Sequence, residues 1–144
     1  MKNLTVRLTI AVATLAAAAV SASAQTYKAD IPMAFHADGK LMTPGTYDFV
    51  VMLGPTGHKT VIVRSHRAAN ESALLVTIAG SDAPKAWREE GAPKISFECT
   101  GHSCSLASLY NGRDVAAYRF PHPKVAPAEK ERIASITLNL TRTD

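Results

Sequence analysis

After Val20 the chain of 144 residues carries no second long apolar run, which excludes a further membrane-spanning helix, since a bilayer core takes about 20 apolar residues in a row. Internal repeats, low-complexity tracts and a dividing linker are also missing. Basic charge is not concentrated. Lys and Arg number 16 against 12 acids, and setting aside Lys2 and Arg7 leaves 14 against 12, a balance of +2. Without clustered Lys and Arg there is no electrostatic footprint for nucleic acid. No His-Glu-x-x-His, no phosphate-cradling glycine loop and no dinucleotide fingerprint occurs, so no enzyme signature is met and no cofactor is implied. Cysteine occurs twice, tryptophan once, and long helical periodicity is absent.

What is present begins at the N-terminus. Met1, Lys2 and Arg7 bring positive charge ahead of an apolar run from Leu8 to Val20, which Ser21-Ala22-Ser23-Ala24 closes with small residues at Ala22 and Ala24. A positive n-region, an h-region of about 13 residues and a small-x-small site make a secretory signal peptide over residues 1–24. The expected cleavage lies between Ala24 and Gln25, leaving residues 25–144 as a single β-rich domain, periplasmic or secreted. No Cys follows the small residues and no hydrophobic tail ends the chain, so no stable membrane anchor is expected.

Period-two alternation dominates the remainder. Tyr47, Phe49, Val51 and Leu53 alternate with Thr46, Asp48, Val50 and Met52; Ala134, Ile136, Leu138 and Leu140 alternate with polar neighbours. Shorter apolar runs lie at Thr60–Val63 and Ala73–Ala79. Asp38-Gly39 and Asn111-Gly112 predict type I′ hairpin turns, and Pro44-Gly45 a type II turn with Gly at positive φ. Gly54–Gly57 and the segment from Ala83-Pro84 to Ala92-Pro93 read as loops. The pattern predicts an all-β antiparallel sandwich or barrel of about eight strands, with one short helix near residues 127–132 opened by Pro127.

A three-stranded meander is expected from Lys94 to Phe120. Placing Cys99 opposite Cys104 sets Phe97 against Leu106 and Ile95 against Ser108. A tight turn at Asn111-Gly112 then pairs Tyr110 with Arg113 and gathers Ile95, Phe97, Leu106, Val115 and Ala117 on one face. Ile31-Pro32-Met33-Ala34-Phe35, Gly39-Lys40, Pro44-Gly45-Thr46-Tyr47 and the stretch from Lys94-Ile95-Ser96-Phe97 through Leu106 to Tyr110 resemble elements of a group of small exported bacterial β-rich proteins of uncharacterised function. That resemblance implies a β fold and export and no activity. The chain departs from the group in placing Pro44 one position closer to Gly45, and in having Cys99 and Cys104 where the group carries Arg-like and aromatic residues.

Two cysteines in an exported chain predict one disulfide, and the hairpin register puts Cys99 and Cys104 face to face. Closing so short a loop contributes about 2 kcal/mol. The competing reading is a metal-handling hairpin in which Cys99, His102 and Cys104 supply two thiolates and an imidazole, a set suited to Cu(I) or zinc but one ligand short of a closed zinc site. Gly101-His102-Ser103-Cys104-Ser105 resembles a nucleophile elbow but lacks its final Gly and its strand-to-helix setting. His66 and His122 read as solvated surface residues, and Glu89-Glu90 beside Arg88 as a solvated turn. Trp87 and Arg88, in a basic loop, are the candidate contact for an exported protein, a glycan or a small ligand; a ring capping the sheet edge is the plainer role for Trp87. The expectation is a non-catalytic binding or structural protein.

Overall fold

A computed structural model describes residues 24–123 and 133–143. The expected signal peptide up to Ser23 and the expected helix near residues 127–132 therefore lie outside the described residues. The Tyr47 alternation forms β4 (Gly45–Leu53), flanked by β1 (Gln25–Ile31) and β5 (Lys59–Ser65). With β6 (Ser72–Val76) and β12 (Thr141–Arg142) they make an antiparallel sheet in the order β12-β1-β4-β5-β6. The second sheet uses β7 (Ile78–Asp82), β8 (Lys94–Thr100), β9 (Ser103–Tyr110), β10 (Ala116–Arg119) and β11 (Ile133–Asn139) in the order β11-β8-β9-β10-β7. A small hairpin of β2 (Phe35–Ala37) and β3 (Lys40–Met42) joins it through a parallel bridge from His36 to Ser105.

The two ladders stay separate, so the architecture is a sandwich and not a closed barrel. Single residues carry the chain between sheets. Thr77 turns β6 into β7, with its N–H and Oγ1 both donating to the Lys59 carbonyl, at 3.1 and 2.8 Å. Leu140 turns β11 into β12, buried, with its N–H on the Pro93 carbonyl at 3.0 Å. Among the described residues twelve strands replace the expected eight, because the apolar run at Ala73–Ala79 divides across the two sheets, and β2, β3 and β12 are too short for alternation to reveal.

Inward-facing side chains of both sheets form one core. Tyr47, Phe49 and Val51 face inward from β4, while Leu53, at the strand end, is 60% exposed. Phe35 sits edge-on to Tyr47 at 5.2 Å and to Phe97 at 5.3 Å, joining the two layers. On β11, Ile136 and Leu138 pack on this core and Ala134 is exposed.

Local turn chemistry decides several details. Asp38 at φ 52° and Gly39 at φ 71° make the expected I′ turn between paired Ala37 and Lys40. Gly45, by contrast, is already the first residue of β4, paired with Ile31, and does not take a positive φ, so the expected type II turn at Pro44-Gly45 does not form. The expected tight Asn111-Gly112 hairpin is also replaced. Asn111 is buried, and its Oδ1 accepts the N–H groups of Arg113 and Asp114 at 3.0 and 2.9 Å, which opens the connection into a longer loop.

The meander consequently differs beyond its tip. Cys99 pairs with Cys104 and Phe97 with Leu106 as expected, but a bulge follows and Ile95 pairs with Leu109, not Ser108. The extra residue, Ala107, lets Leu106 and Leu109 both enter the core, which strict alternation forbids for positions three apart. On β10, Tyr118 pairs with Leu109, so Tyr118 and Phe120 face the core. Ala117 joins a separate small cluster with Ala83 and Tyr110, and Val115 is 58% exposed, contrary to the expected common face.

Candidate binding cleft on the outer sheet face

The segment after Ala83 is a helix, α1 (Lys85–Glu90), where a loop was expected. Pro84 enters it at φ −50° and its carbonyl accepts the N–H groups of Trp87 and Arg88; Gly91 ends it at φ 64°, donating to the Trp87 carbonyl at 3.0 Å. Glu89 and Glu90 are helical in consequence. Glu90 binds the largely buried Lys94 ammonium at 2.8 Å, and Asn139 Oδ1 accepts from the same group at 2.9 Å, which fastens α1 to the outer face of the second sheet.

Trp87 thereby lies against Tyr110, ring centroids 6.3 Å apart, packed on the Ala83–Tyr110–Ala117 cluster. The ring packs on the outer sheet face over the interior strands β9 and β10 and not, as expected, over the sheet edge, and, partly buried, it also forms one wall of a cleft of about 240 Å³. Arg88, expected beside it as a contact, instead turns its Nε to the Ala83 carbonyl at 3.1 Å and does not line the cleft.

The floor is polar because outward positions of neighbouring strands align. Ser96 on β8 pairs with Ser108 on β9, which pairs with Arg119 on β10. The two serine Oγ atoms are 2.6 Å apart, with Ser96 only 7% exposed. Glu98 and Ser135 are paired across β8 and β11, and Ser81 and Asp82 enter from β7. The Glu98 carboxylate lies 3.3 Å from His122 Nε2. Among the described residues neither the Trp87 indole N–H nor the Arg119 guanidinium has a side-chain hydrogen bond or ion pair. Sequence reasoning does not single out Ser96, Glu98, Ser108 or Arg119. The only signal for them is the polar half of the β8–β9 alternation, and its register depends on the bulge.

The chain matches no family model, no curated protein and no solved structure. The cleft must be read from its own groups.

At the opposite end of β9 the Cys99 and Cys104 sulfurs are bonded to each other, with Cα atoms 3.9 Å apart. Thr100 and Ser103 close the two-residue turn, so the cysteines occupy the next pair of the ladder, where side chains approach most closely. His102 is exposed at the tip. The metal-handling reading needs free thiolates, and among the described residues no group of three His, Cys, Asp or Glu side chains converges. His66 is exposed as expected, its Nε2 2.8 Å from Asp48 Oδ2, and the His36 Nδ1 lies 3.3 Å from Ser103 Oγ.

A second polar cluster bridges the sheets. Tyr118 OH accepts from Lys59 Nζ at 2.6 Å and from Asn111 Nδ2 at 3.1 Å, and donates to Asp114 Oδ2 at 2.7 Å. Burial, then the hydrogen bond to Asp114 and that residue's negative charge, raise the Tyr118 phenol well above its ordinary 10.0. A phenol held neutral with both acceptor positions filled is a staple and not a nucleophile. Tyr118→Phe should lower stability by about 1–3 kcal/mol, because it strands the buried Asn111 amide. The phenol's part of the pH dependence also has a definite sign. Native Tyr118 keeps its proton where the unfolded phenol loses it, so stability falls as pH climbs above 10.0 through the native value. The variant should show a shallower alkaline limb in pH-dependent denaturant melts, while Tyr47, whose phenol is also raised by burial, still contributes in the same direction. An unchanged limb would contradict the assignment.

Proposed function

We propose that the protein is exported and works as a non-catalytic binding module whose ligand sits in the cleft beside α1. The observation that carries this reading is the cleft itself, a fixed surface assembled from β7, β8, β9, β10, β11 and α1, with donors at its wall and floor that have no side-chain partner among the described residues. Lys94 and the Ser96–Ser108 pair hold that surface in place without any ligand, which lowers the ordering cost of binding. Export is supported by the Lys2, Arg7 and Leu8–Val20 pattern and by a disulfide pair of the sort that oxidising compartments maintain.

Two measurements test the two halves. Expressed with its N-terminal segment in a bacterial host, the protein should be recovered outside the cytoplasm beginning at Gln25, two hydrogens lighter than the reduced mass and unlabelled by a thiol alkylating reagent. A full-length cytoplasmic chain labelled at Cys99 and Cys104 would contradict export. In an amide NMR screen against a general fragment library, shifts should gather on Trp87, Ser96, Ser108 and Arg119. Hits confined to the Lys59–Tyr118 end, or no hits, would remove the cleft as the binding surface.

A further inference from the structure

We infer that the cleft beside α1 is a saccharide site, with Trp87 against the apolar C–H face of a neutral pyranose and Arg119, Glu98 and Asp82 engaging its hydroxyls. The inference rests on the cleft being the binding surface and adds the chemical class of ligand.

The charges select against ions. Among the described lining residues Arg119 is the one cationic side chain, and it stands with two carboxylates, Asp82 and Glu98, the second of which also has His122 Nε2 at 3.3 Å. A free anion would meet Arg119 but face both acids, and a cation would meet the acids but face Arg119. A neutral polyol avoids both conflicts, because each sugar hydroxyl donates one hydrogen bond and accepts others at the same time. Carboxylates are acceptors only, guanidinium is a donor only, and serine is both. The wall holds all three kinds.

The apolar side fits as well. A pyranose carries axial C–H groups on one face, and a half-exposed indole supplies the flat, polarisable partner that such a face requires, with its own N–H available as a donor at the rim. Size sets a bound. A space of about 240 Å³ lies below the range of drug-sized pockets and suits about one ring, with further rings of an oligosaccharide extending out over the sheet. So small a contact implies a dissociation constant on the order of 1 mM for one ring, tightening where neighbouring rings touch the sheet.

The chain contains a single tryptophan, so its fluorescence reports on this cleft alone. The experiment titrates the mature protein with cellohexaose, chitohexaose and maltohexaose, with an oligogalacturonate of similar length as the charged comparison, following Trp87 emission and amide shifts together. At least one neutral hexasaccharide should give a saturating change in emission, with amide shifts on Ser96, Ser108 and Arg119. Arg119→Gln and Ser108→Val, both at outward strand positions, should each weaken that binding about tenfold while amide dispersion stays native. Trp87→Phe should retain binding by amide shifts. No response to any neutral sugar up to about 20 mM overturns the ligand class. A response to the oligogalacturonate alone, or shifts mapping elsewhere, overturns it also. If fragments still gather at the cleft while sugars do not, the sugar assignment falls and the binding surface stands; if neither binds, both fall.

Discussion

Phe97→Ala should lower the unfolding free energy by about 3–5 kcal/mol, the range for removing a fully buried aromatic ring. Phe97 is wholly buried on β8, paired with Leu106 and Ile136, and its ring meets Phe35 edge-on, which in turn meets Tyr47 of the other sheet. The loss therefore combines transfer free energy, the edge-to-face contacts and a cavity that two hydrogen-bonded ladders cannot close by shifting. A single domain of this size has a total stability of about 5–15 kcal/mol, so the variant should be partly unfolded or close to it at ambient temperature. Urea melts would show a much lower midpoint with an unchanged slope. A loss below about 1 kcal/mol would mean that Phe97 does not join the two layers.

Gly112→Ala should be nearly as damaging for a different reason. Gly112 has φ 78°, and a Cβ built there would lie 2.8 Å from the Gly91 carbonyl oxygen and 2.9 Å from the Pro93 nitrogen. Both are backbone atoms where the chain leaves α1, so the overlap cannot be relieved by a side-chain rotation. Positive-φ strain and overpacking together predict a loss of about 2–4 kcal/mol. Gly57→Ala is the matched control: its φ is 80° and nothing lies within 4 Å of the built Cβ, so only the strain, about 1 kcal/mol, should register. Equal losses at the two glycines would contradict the close approach of the Asn111–Val115 loop to the exit of α1. Because that exit leads directly to Lys94, Gly112→Ala should also loosen α1 on the sheet and disturb Trp87 emission, which Gly57→Ala should leave alone.

These two positions also mark what a linear reading can and cannot find. Phe97 is visible as an inward residue of an alternating strand, as are Tyr47, Phe49 and Val51, because side-chain alternation is set by the covalent geometry of each strand alone. The Cys99–Cys104 pairing and the Asp38-Gly39 turn are equally local. The contact of Gly112 with Gly91 is not, since it joins two loops that only meet once α1 has docked. The helix escapes notice because six residues are too few for a 3.6-residue period to register. The expected meander fails at Ile95 and Val115 through one inserted residue, Ala107, which changes the parity of the pairing without leaving a mark in the composition.

By itself, then, the sequence determined the β class, the core faces of the longer strands and the hairpin that brings the two cysteines together, and it carries the export pattern. All of these follow from alternation, turn chemistry or short spacing. Only the tertiary structure decided that the ladders form a sandwich, that α1 lies across the outer face, and that Ser96, Ser108 and Arg119 share a row beneath Trp87. That row spans three strands, and register between strands is settled by what both sheets must bury together: the bulge that admits Leu106 and Leu109 to the core is the same one that aligns the polar floor of the cleft.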